Sequence, residues 1–217
     1  MKEIWFIRHG ESEANAGLRT LDTVNINITE QGRSQAEQVS LVFDKTPDLI
    51  IATPYIRTQQ TSEPTRKLFP QTPYEIWDLQ EFSHLDHLDG PDTTRTQRRA
   101  ASVEYWEKND PDFVYCDGVE SFSMMMKRIK NSFDKLKERD EQFIAVFTHG
   151  MIIRAMVNFI RNPEHSDKQL MTVMLDALPK IKIENCQILK TTCENSIFKL
   201  VDFPIIEIED KGIVNLT

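Results

Sequence analysis

The sequence predicts an α/β protein: a three-layer sandwich in which helices flank a mostly parallel central sheet, with a helical cap insertion. Three short apolar runs, at residues 4–7, 49–52 and 143–147, are near-continuous rather than alternating. This pattern is typical of parallel strands that are buried on both faces. Helix-like segments separate the runs, so strands and helices alternate along the chain as in βαβ units, which favours a parallel sheet.

The segments around these runs supply the flanking helices and a fourth strand. Helices are predicted at residues 31–45, 55–69 and 151–160. The first places four apolar residues on one side: Ala36, Val39, Val42 and Phe43. The second is helical in composition but is interrupted by Pro64, which removes a backbone donor. A weaker strand candidate lies at residues 74–77.

The stretch at residues 82–141 breaks the alternation. We predict one domain spanning residues 1–217, with this stretch as a cap insertion that contains helices at about 95–108 and 119–139. Four residues of the second helix are expected to pack against the sheet: Met124, Met125, Met126 and Ile129. Near the end of the chain, two strand-like segments flank Glu194-Asn195-Ser196 and predict a hairpin that is at least partly antiparallel.

Composition narrows the possible functions. The formal net charge of −8 argues against nonspecific binding to nucleic acid or to an anionic membrane surface. Any anion must therefore be captured by local positive groups. The three cysteines form no C-x-x-C pair, which indicates a reducing compartment. Because Arg8 interrupts the first apolar run and no run approaches a membrane span of roughly 20 residues, we expect a soluble, cytoplasmic protein.

Polar residues whose side chains can bind a ligand or take part in catalysis follow each predicted parallel strand. Arg8 and His9 follow the first run, Arg57 lies just after the second, Glu81 follows the weak strand, and His149 follows the third. In an open α/β sheet, ligands bind outside the carboxyl ends of the strands. The strand placement therefore predicts that two arginines, two histidines and a glutamate converge on one rim.

This set of side chains suits an anionic ligand. The planar fork of arginine matches phosphate or carboxylate, and Gly10 and Gly150 allow the backbone to approach a ligand closely. A neutral histidine beside a bound phosphate can act as a nucleophile. A nearby carboxylic acid can protonate the leaving oxygen.

Four stretches of the chain resemble the histidine phosphatase superfamily, also called the phosphoglycerate mutase-like family. Their order and spacing agree with the family from residue 4 to about residue 160. The stretches are Arg8-His9-Gly10-Glu11-Ser12 with Asn15, residues 28–36 (similar to "LTxxGxxQA"), residues 53–61 (similar to "SPxxRxxxT") and Thr148-His149-Gly150.

The resemblance implies a hydrolase with a phosphohistidine intermediate. His9 would attack phosphorus while Glu81 protonates the leaving oxygen, and water would then release phosphate with Glu81 as base. Arg8, Arg57 and His149 would hold the phosphoryl oxygens, and Asn15 would add a hydrogen bond. No metal or other cofactor is implied. The substrate would be a phosphorylated small molecule or a phosphoprotein; the sequence leaves the phosphoester and the oligomeric state open.

Two assignments within the site have alternatives. Glu120, in Asp117-Gly118-Val119-Glu120-Ser121, also resembles a family motif. We prefer Glu81 as the acid because it follows a predicted strand end, whereas Glu120 is expected at a helix start, where a carboxylate favours the macrodipole. The string from His84 to Asp89 resembles a set of metal ligands, but nothing completes a closed coordination set. We interpret this string, including His87, as a polar lid loop.

The basic residues of the cap and the class of reaction also have alternatives. Arg95, Arg98 and Arg99 either steer an anionic substrate or form a solvated helix face.

The second candidate function is that of a phosphoglycerate mutase. Mutases carry Trp-Asn after the RHG motif and "ERHYG" at the acid, where this chain has Glu13-Ala14-Asn15 and residues 81–85 read Glu-Phe-Ser-His-Leu. A noncatalytic phosphate- or protein-binding module is the third, disfavoured because all expected catalytic side chains are present.

Overall fold

The computed structural model describes residues 1–18, 20, 22–85, 95–177 and 182–201, with only the backbone described for residues 95–99 and 177. The strands in this part of the chain are β1 (Lys2–Arg8), β2 (Leu49–Ala52), β3 (Tyr74–Ile76), β4 (Phe143–Thr148), β5 (Ile188–Glu194) and β6 (Ile197–Val201). The helices are α1 (Glu30–Ser40), α2 (Ile56–Leu68), α3 (Arg95–Lys108), α4 (Phe122–Glu138), α5 (Gly150–Arg161) and α6 (Asp167–Ala177).

The described strands form one mixed sheet with the order β3-β2-β4-β1-β5-β6. Four strands are parallel: β4 pairs with β1 and β2, and β2 pairs with β3. The antiparallel pairs are β1 with β5 and β5 with β6. The predicted fold class is confirmed, including the antiparallel hairpin at the end of the described chain.

The central parts of three parallel strands are continuously apolar because both faces of the sheet are covered there: residues 4–7 of β1, 49–52 of β2 and 143–147 of β4. Alternate residues of β1 enter different apolar clusters: Ile4 and Phe6 pack with residues of α4, α5 and α6, whereas Trp5 and Ile7 pack with Val39 near the end of α1. Since side chains alternate across a strand, only a continuous apolar run can fill two cores at once. This is the physical basis of the sequence pattern.

Helix α1 is shorter than predicted. It begins after Thr29, whose hydroxyl accepts a hydrogen bond from the N–H of Gly32, and it ends at Ser40. Beyond that point Val42 is half exposed, so its placement on the buried side with Val39 was wrong. Phe43 does reach the core, through the turn that follows the helix.

Helix α4 lies against the sheet rather than apart from it. Its N-cap is Ser121, whose hydroxyl accepts from the N–H of Met124. Met125, Met126 and Ile129 are fully buried in the same apolar cluster as β1 and β4, but the Met124 side chain is 54% exposed. Three consecutive helical residues cannot all face one way, because each step turns the helix by about 100°. The division into one domain with a cap at residues 82–141 stays a prediction.

Two further elements complete the described fold. Helix α6 was not predicted; Leu170, Met171 and Met174 bury it against the cluster that contains α4 and α5. The hairpin between β5 and β6 turns at Asn195 and Ser196, both with positive φ (49° and 64°). None of the helices in the described part of the chain is long and apolar enough to span a membrane.

Candidate active site

Three central strands deliver polar residues to one rim of the sheet. Because β1 and β4 run parallel with Arg8 opposite Thr148, the residues that follow them emerge side by side. These residues are His9 and His149, both buried, with ring centroids 5.2 Å apart in an edge-on arrangement. Thr53, the first residue after β2, contacts the second of these rings. The predicted convergence of the two histidines is therefore present in the structure.

The backbone around His9 fixes the protonation state of its ring. The His9 Nδ1 atom lies 2.7 Å from the Gly10 carbonyl oxygen. A carbonyl oxygen can only accept, so Nδ1 carries the proton and Nε2 keeps a lone pair. Burial lowers the pKa of His9 well below its usual value, and the charges of Arg57 and Arg8 lower it further. The ring is therefore a neutral imidazole with Nε2 available to react.

Close backbone packing holds the loop that carries His9. A Cβ atom on Gly10 would lie 2.6 Å from the carbonyl oxygen of Gly32, and one on Gly32 would lie 2.2 Å from that of Glu11. These distances leave no room for any side chain at either position. The Gly10 N–H also donates to the Thr61 hydroxyl of α2, at 2.9 Å. The glycines of the first two sequence motifs thus dock the loop on α1.

Each of the two arginines is anchored by a backbone carbonyl. Arg8 Nη1 donates to the carbonyl oxygen of Ile183 at 2.6 Å, and Arg57 Nη1 donates to that of Thr23 at 2.7 Å. The Arg57 guanidinium also lies 4.7 Å from the ring centroid of Tyr55. A Cβ on Gly150 would lie 3.4 Å from Arg8 Nε, an ordinary van der Waals contact, so the Arg8 side chain packs directly over the start of α5. Both guanidiniums are near enough to His9 to disfavour its protonation.

The second histidine is held by a threonine hydroxyl. His149 Nε2 lies 2.9 Å from Thr53 Oγ1, and the His149 ring packs edge-on against Tyr55 at 5.3 Å. Burial is the largest cause that lowers the pKa of His149 well below its usual value, and Arg57 is the next. His149 is thus a neutral, fully buried imidazole.

The two candidate acids have different surroundings. Glu81 lies in the loop after β3, and its carboxylate accepts from the N–H of Phe82 (3.0 Å) and from that of Met151 in the first turn of α5 (3.4 Å). Since α5 starts directly after His149, this contact brings Glu81 to the histidine rim. Glu120 instead accepts from Arg128 Nε (2.9 Å) and Nη2 (2.6 Å) in a mostly buried bidentate ion pair.

Glu120 also contacts the loop that carries Glu81. Its carboxylate accepts from the N–H of Ser83 at 3.0 Å. Arg128 donates to the carbonyl oxygens of Asp78 (3.2 Å) and Glu81 (3.4 Å). The pair therefore braces both ends of this loop. Glu120 lies one residue before the N-cap of α4, just outside the helix start where it was expected.

A residue near the end of the chain supports the site and was missed by sequence reasoning. Asn185 Nδ2 donates to the carbonyl oxygen of His9 and to Asn15 Oδ1, both at 3.0 Å. The next N–H, of Cys186, donates to the carbonyl oxygens of Arg8 and His9 at 3.1 and 3.3 Å. The sequence carried no signal for this residue, because the antiparallel pairing of β5 with β1, which brings the residues before β5 to the rim where β1 ends, is seen only in the structure.

The remaining sequence candidates lie elsewhere or outside the described residues. His84 stacks on Phe82 at 4.3 Å and lies 4.6 Å from the Tyr105 ring, which places it in an aromatic cluster under α3. His87 lies outside the described residues, and Arg95, Arg98 and Arg99 are described only as backbone of α3. Within the described ranges, no three His, Cys, Asp or Glu side chains are grouped to hold a metal ion.

A family model for the histidine phosphatase superfamily (branch 1) matches residues 4–204 of the 217. The chain belongs to this superfamily. The match confirms the resemblance carried by the four motifs, and it includes all of the described helices and strands except the first two residues of β1.

Relatives within the histidine phosphatase superfamily include enzymes of two kinds. The chain is 26% identical over 175 residues to a metal-independent phosphoserine phosphatase of Arabidopsis thaliana, covering 77% of this chain and 72% of that protein. It is 24% identical over 209 residues to 2,3-bisphosphoglycerate-dependent phosphoglycerate mutase 2 of Latilactobacillus sakei, covering 80% and 89%. Among solved structures, the alpha-ribazole phosphatase from Shigella flexneri shares the fold, with a TM-score of 0.70, 20% identity and coverage of 98% and 100%.

Proposed function

We propose that this protein is a phosphomonoester hydrolase that works through a phosphohistidine intermediate on His9. One observation carries the proposal: the Gly10 carbonyl oxygen accepts a hydrogen bond from Nδ1–H of His9, so Nε2 of this buried, neutral ring carries the lone pair. Arg8 and Arg57 lie close enough to this ring to depress its pKa, so they would also attract the phosphoryl group toward Nε2.

The first step transfers the phosphoryl group to the enzyme. His9 Nε2 forms a bond to phosphorus while the bond from phosphorus to the alcohol oxygen breaks. The leaving oxygen takes the bonding electron pair, and the Glu81 carboxyl group supplies a proton to it. The products are the free alcohol, a phosphohistidine and the Glu81 carboxylate. The contact between Glu81 and the first turn of α5 supports this placement beside the histidines.

The second step returns the enzyme to its starting state. The Glu81 carboxylate removes a proton from water as the water oxygen attacks phosphorus. The bond from phosphorus to His9 Nε2 breaks, and the ring regains its lone pair. Inorganic phosphate is released and Glu81 is again protonated, so the complete cycle consumes one water molecule and no other co-reactant.

Stabilisation of the transferring group would come from side chains rather than from a metal. Arg8, Arg57 and His149 would contact the phosphoryl oxygens as charge develops, and Asn15 would add a hydrogen bond from its amide. The backbone carbonyls behind both arginines hold the forks in place before substrate arrives. We therefore expect activity without a cofactor: EDTA should leave the rate on an aryl phosphate unchanged, and loss of activity restored by a divalent cation would contradict this.

Glu81 is preferred to Glu120 as the acid. The Glu120 carboxylate is occupied by three donors, two of them from one guanidinium, and a proton on it would break a mostly buried ion pair. Glu81 has only backbone donors among the described contacts and adjoins α5 at the histidine rim. We assign Glu81 to proton transfer and Glu120 to the support of its loop.

The mutase relative makes phosphoglycerate mutase activity the second candidate. The residues that distinguish mutases differ in this chain: Ala14 stands where they carry Trp before Asn15, and residues 82–85 replace the rest of "ERHYG". We therefore expect hydrolysis to exceed phosphoryl transfer. The test is to supply 2,3-bisphosphoglycerate and 3-phosphoglycerate and to measure 2-phosphoglycerate against free phosphate; a predominance of 2-phosphoglycerate would reverse the assignment.

The substrate class follows from the relatives only in outline. The Arabidopsis relative is named a phosphoserine phosphatase, and the Shigella structure is named an alpha-ribazole phosphatase. We propose a small phosphorylated metabolite as substrate, with a phosphoprotein as the alternative, and a panel of phosphoesters assayed for free phosphate separates them. A cytoplasmic location stays part of the proposal, because the three cysteines are free, as is usual for proteins of a reducing compartment.

The decisive experiment is to trap the intermediate on His9. Wild-type protein quenched during turnover of a ³²P-labelled substrate should yield an acid-labile, base-stable label, as expected of a phosphohistidine. His9→Ala should give no label and no turnover while keeping the fold. His165→Ala is the matched control, because His165 follows the far end of α5, about 18 Å along that helix from the site. Full turnover by His9→Ala would refute the mechanism.

A further inference from the structure

A chain of two threonine hydroxyls lies behind His149. His149 Nε2 is 2.9 Å from Thr53 Oγ1, which is in turn 2.9 Å from Thr58 Oγ1. Thr58 Oγ1 also lies 2.8 Å from the carbonyl oxygen of Tyr55. Thr53, Thr58 and His149 are all fully buried. The positions of the protons along this chain can therefore be derived from the donors and acceptors present.

The Tyr55 carbonyl, at the end of this series of hydroxyls, sets the direction of each hydrogen bond in the series. The Tyr55 carbonyl oxygen can only accept, so the Thr58 hydroxyl donates its single proton to a hydrogen bond with it. Thr58 Oγ1 can then only accept from Thr53, so the Thr53 hydroxyl donates its proton to Thr58. Thr53 Oγ1 must in turn accept from His149, so the Nε2 atom of His149 carries a proton. In the reverse direction Thr58 would donate to Thr53 and Thr53 to His149. The Thr58 hydroxyl oxygen and the Tyr55 carbonyl oxygen would then lie 2.8 Å apart with no proton between them.

The other nitrogen of His149 is left as a lone pair. His149 Nδ1 is buried and has no hydrogen-bond partner among the residues that the structure describes. The ring is neutral, because burial and the neighbouring positive charges lower its pKa. A neutral ring with a proton on Nε2 has none on Nδ1. His149 and His9 are thus opposite tautomers: His9 presents Nε2 and His149 presents Nδ1.

Charged and titratable groups surround this ring from several elements. The positive groups and the second ring that face it are Arg8 and His9 from the end of β1, Arg57 from α2 and Arg128 from α4. Glu81, in the loop after β3, contacts the first turn of α5 beside this ring. The positive groups disfavour a proton on Nδ1. An oxyanion between the arginines would reverse this balance, because its charge offsets theirs.

We propose that Thr53 and Thr58 fix His149 as the Nε2–H tautomer, so that the site takes up one proton on His149 Nδ1 when a tetrahedral dianion binds. An oxygen of a dianion has no proton to give to the Nδ1 lone pair, and the two would repel. A proton from solvent converts this contact into a charge-assisted hydrogen bond. The inference rests on the proposed function only in taking the rim for a phosphate site. The proton returns to solvent when the anion leaves.

Sulfate is the probe, since it remains a dianion at neutral pH and cannot carry the proton itself. Titration calorimetry at pH 7.5, in buffers with different ionisation enthalpies, measures the protons taken up per sulfate bound. We expect close to one for the wild-type protein, with the affinity falling about tenfold for each pH unit above that point. His149→Gln should bind sulfate with no linked uptake, whereas His9→Ala should keep it.

The threonine variants test the relay itself. Thr58→Val frees the Thr53 hydroxyl to donate to Nε2, which allows the neutral Nδ1–H tautomer, so uptake should fall below half a proton. Thr53→Val should lower it in the same way. The matched control is Thr65→Val: Thr65 is a fully buried threonine of the same helix as Thr58, and its Oγ1 has no partner among the described residues. It should keep full uptake. A purely structural role would change affinity or stability without changing the number of protons.

Each remaining outcome would overturn the inference. No uptake in the wild-type protein contradicts it outright. Uptake that is lost in His9→Ala but kept in His149→Gln places the proton on His9. Full uptake in both Thr53→Val and Thr58→Val removes the relay. Failure of the proposed function is a separate result: protein that binds sulfate with one proton yet hydrolyses no phosphoester would refute the enzyme assignment alone.

Discussion

Replacing Glu120 by Gln tests both the stability of the site loop and the choice of acid. The substitution keeps the size of the side chain but removes its charge. The carboxylate now accepts from two nitrogens of Arg128 and from the N–H of Ser83. A carboxamide has one oxygen, and its NH₂ group would face a guanidinium that can only donate. At least one Arg128 donor therefore loses its partner.

The magnitude follows from the burial of the pair. The side chains of Glu120 and Arg128 are only 11% and 14% exposed, so solvent screens their interaction little. Removing one partner of a buried pair costs about 3–5 kcal/mol. Because one oxygen remains as acceptor, we expect the lower end, about 3 kcal/mol. For a domain of this length, about 2–4 °C per kcal/mol gives a fall in Tm of about 6–12 °C.

Urea denaturation and leaving-group kinetics provide the assay. The matched control is Glu104→Gln, which removes an exposed ion pair with Lys108 at 3.5 Å and should change the free energy of unfolding by less than about 0.5 kcal/mol. In single-turnover assays below the melting transition, Glu120→Gln should keep the wild-type ratio of alkyl to nitrophenyl phosphate cleavage. Glu81→Gln should lower that ratio by about 10²–10⁴-fold, since an alkoxide needs the proton and a nitrophenolate does not.

The reasoning fails if the two variants exchange behaviour. A Glu120→Gln protein with unchanged stability and a strong leaving-group dependence would identify Glu120 as the acid. A second check is Arg128→Met alone and together with Glu120→Gln. If the ion pair is the cause, the double variant should lose less stability than the sum of the single variants. Strict additivity would show that the pair is not what Glu120 contributes.

Three further predictions concern other parts of the molecule. Gly32→Ala should lower the free energy of unfolding by about 1–3 kcal/mol, because the new Cβ would lie 2.2 Å from the Glu11 carbonyl oxygen. This steric cost should exceed the gain of about 1 kcal/mol that alanine gives over glycine in a helix. A higher urea midpoint would contradict this prediction. Lys2→Met should destabilise by about 1–3 kcal/mol, because the buried Lys2 ammonium donates to the carbonyl oxygens of Leu136 in α4 and of Arg139, the C-cap of that helix. An unchanged thermal melt would contradict this prediction. Stability should fall as pH drops below about 6.5, because His9 and His149 have lowered pKa values in the fold and the unfolded chain binds more protons there; His149→Gln should flatten the curve, and an identical curve would be evidence against it.

The sequence by itself determined the sheet and the side chains that its strands deliver. Continuous apolar runs such as residues 49–52 are informative because a strand covered on both faces must be apolar at every position. Parallel strands end at one rim, so the sequence alone predicts that residues such as His9 and His149 lie close together. Local periodicity failed where position on a helix decides burial, as at Met124.

Only the tertiary structure decided the protonation states and the supporting contacts. A tautomer depends on which donor or acceptor lies beside each ring nitrogen, and for His149 that partner is Thr53, 96 residues away in sequence. Asn185 meets the His9 carbonyl across 176 residues because β5 returns antiparallel beside β1. Glu120 and Glu81 are both glutamates that the sequence offers as the acid, and only their hydrogen-bond partners in the structure distinguish them. Hydrogen bonds act over about 3 Å in space, and distance along the chain does not specify which groups come that close.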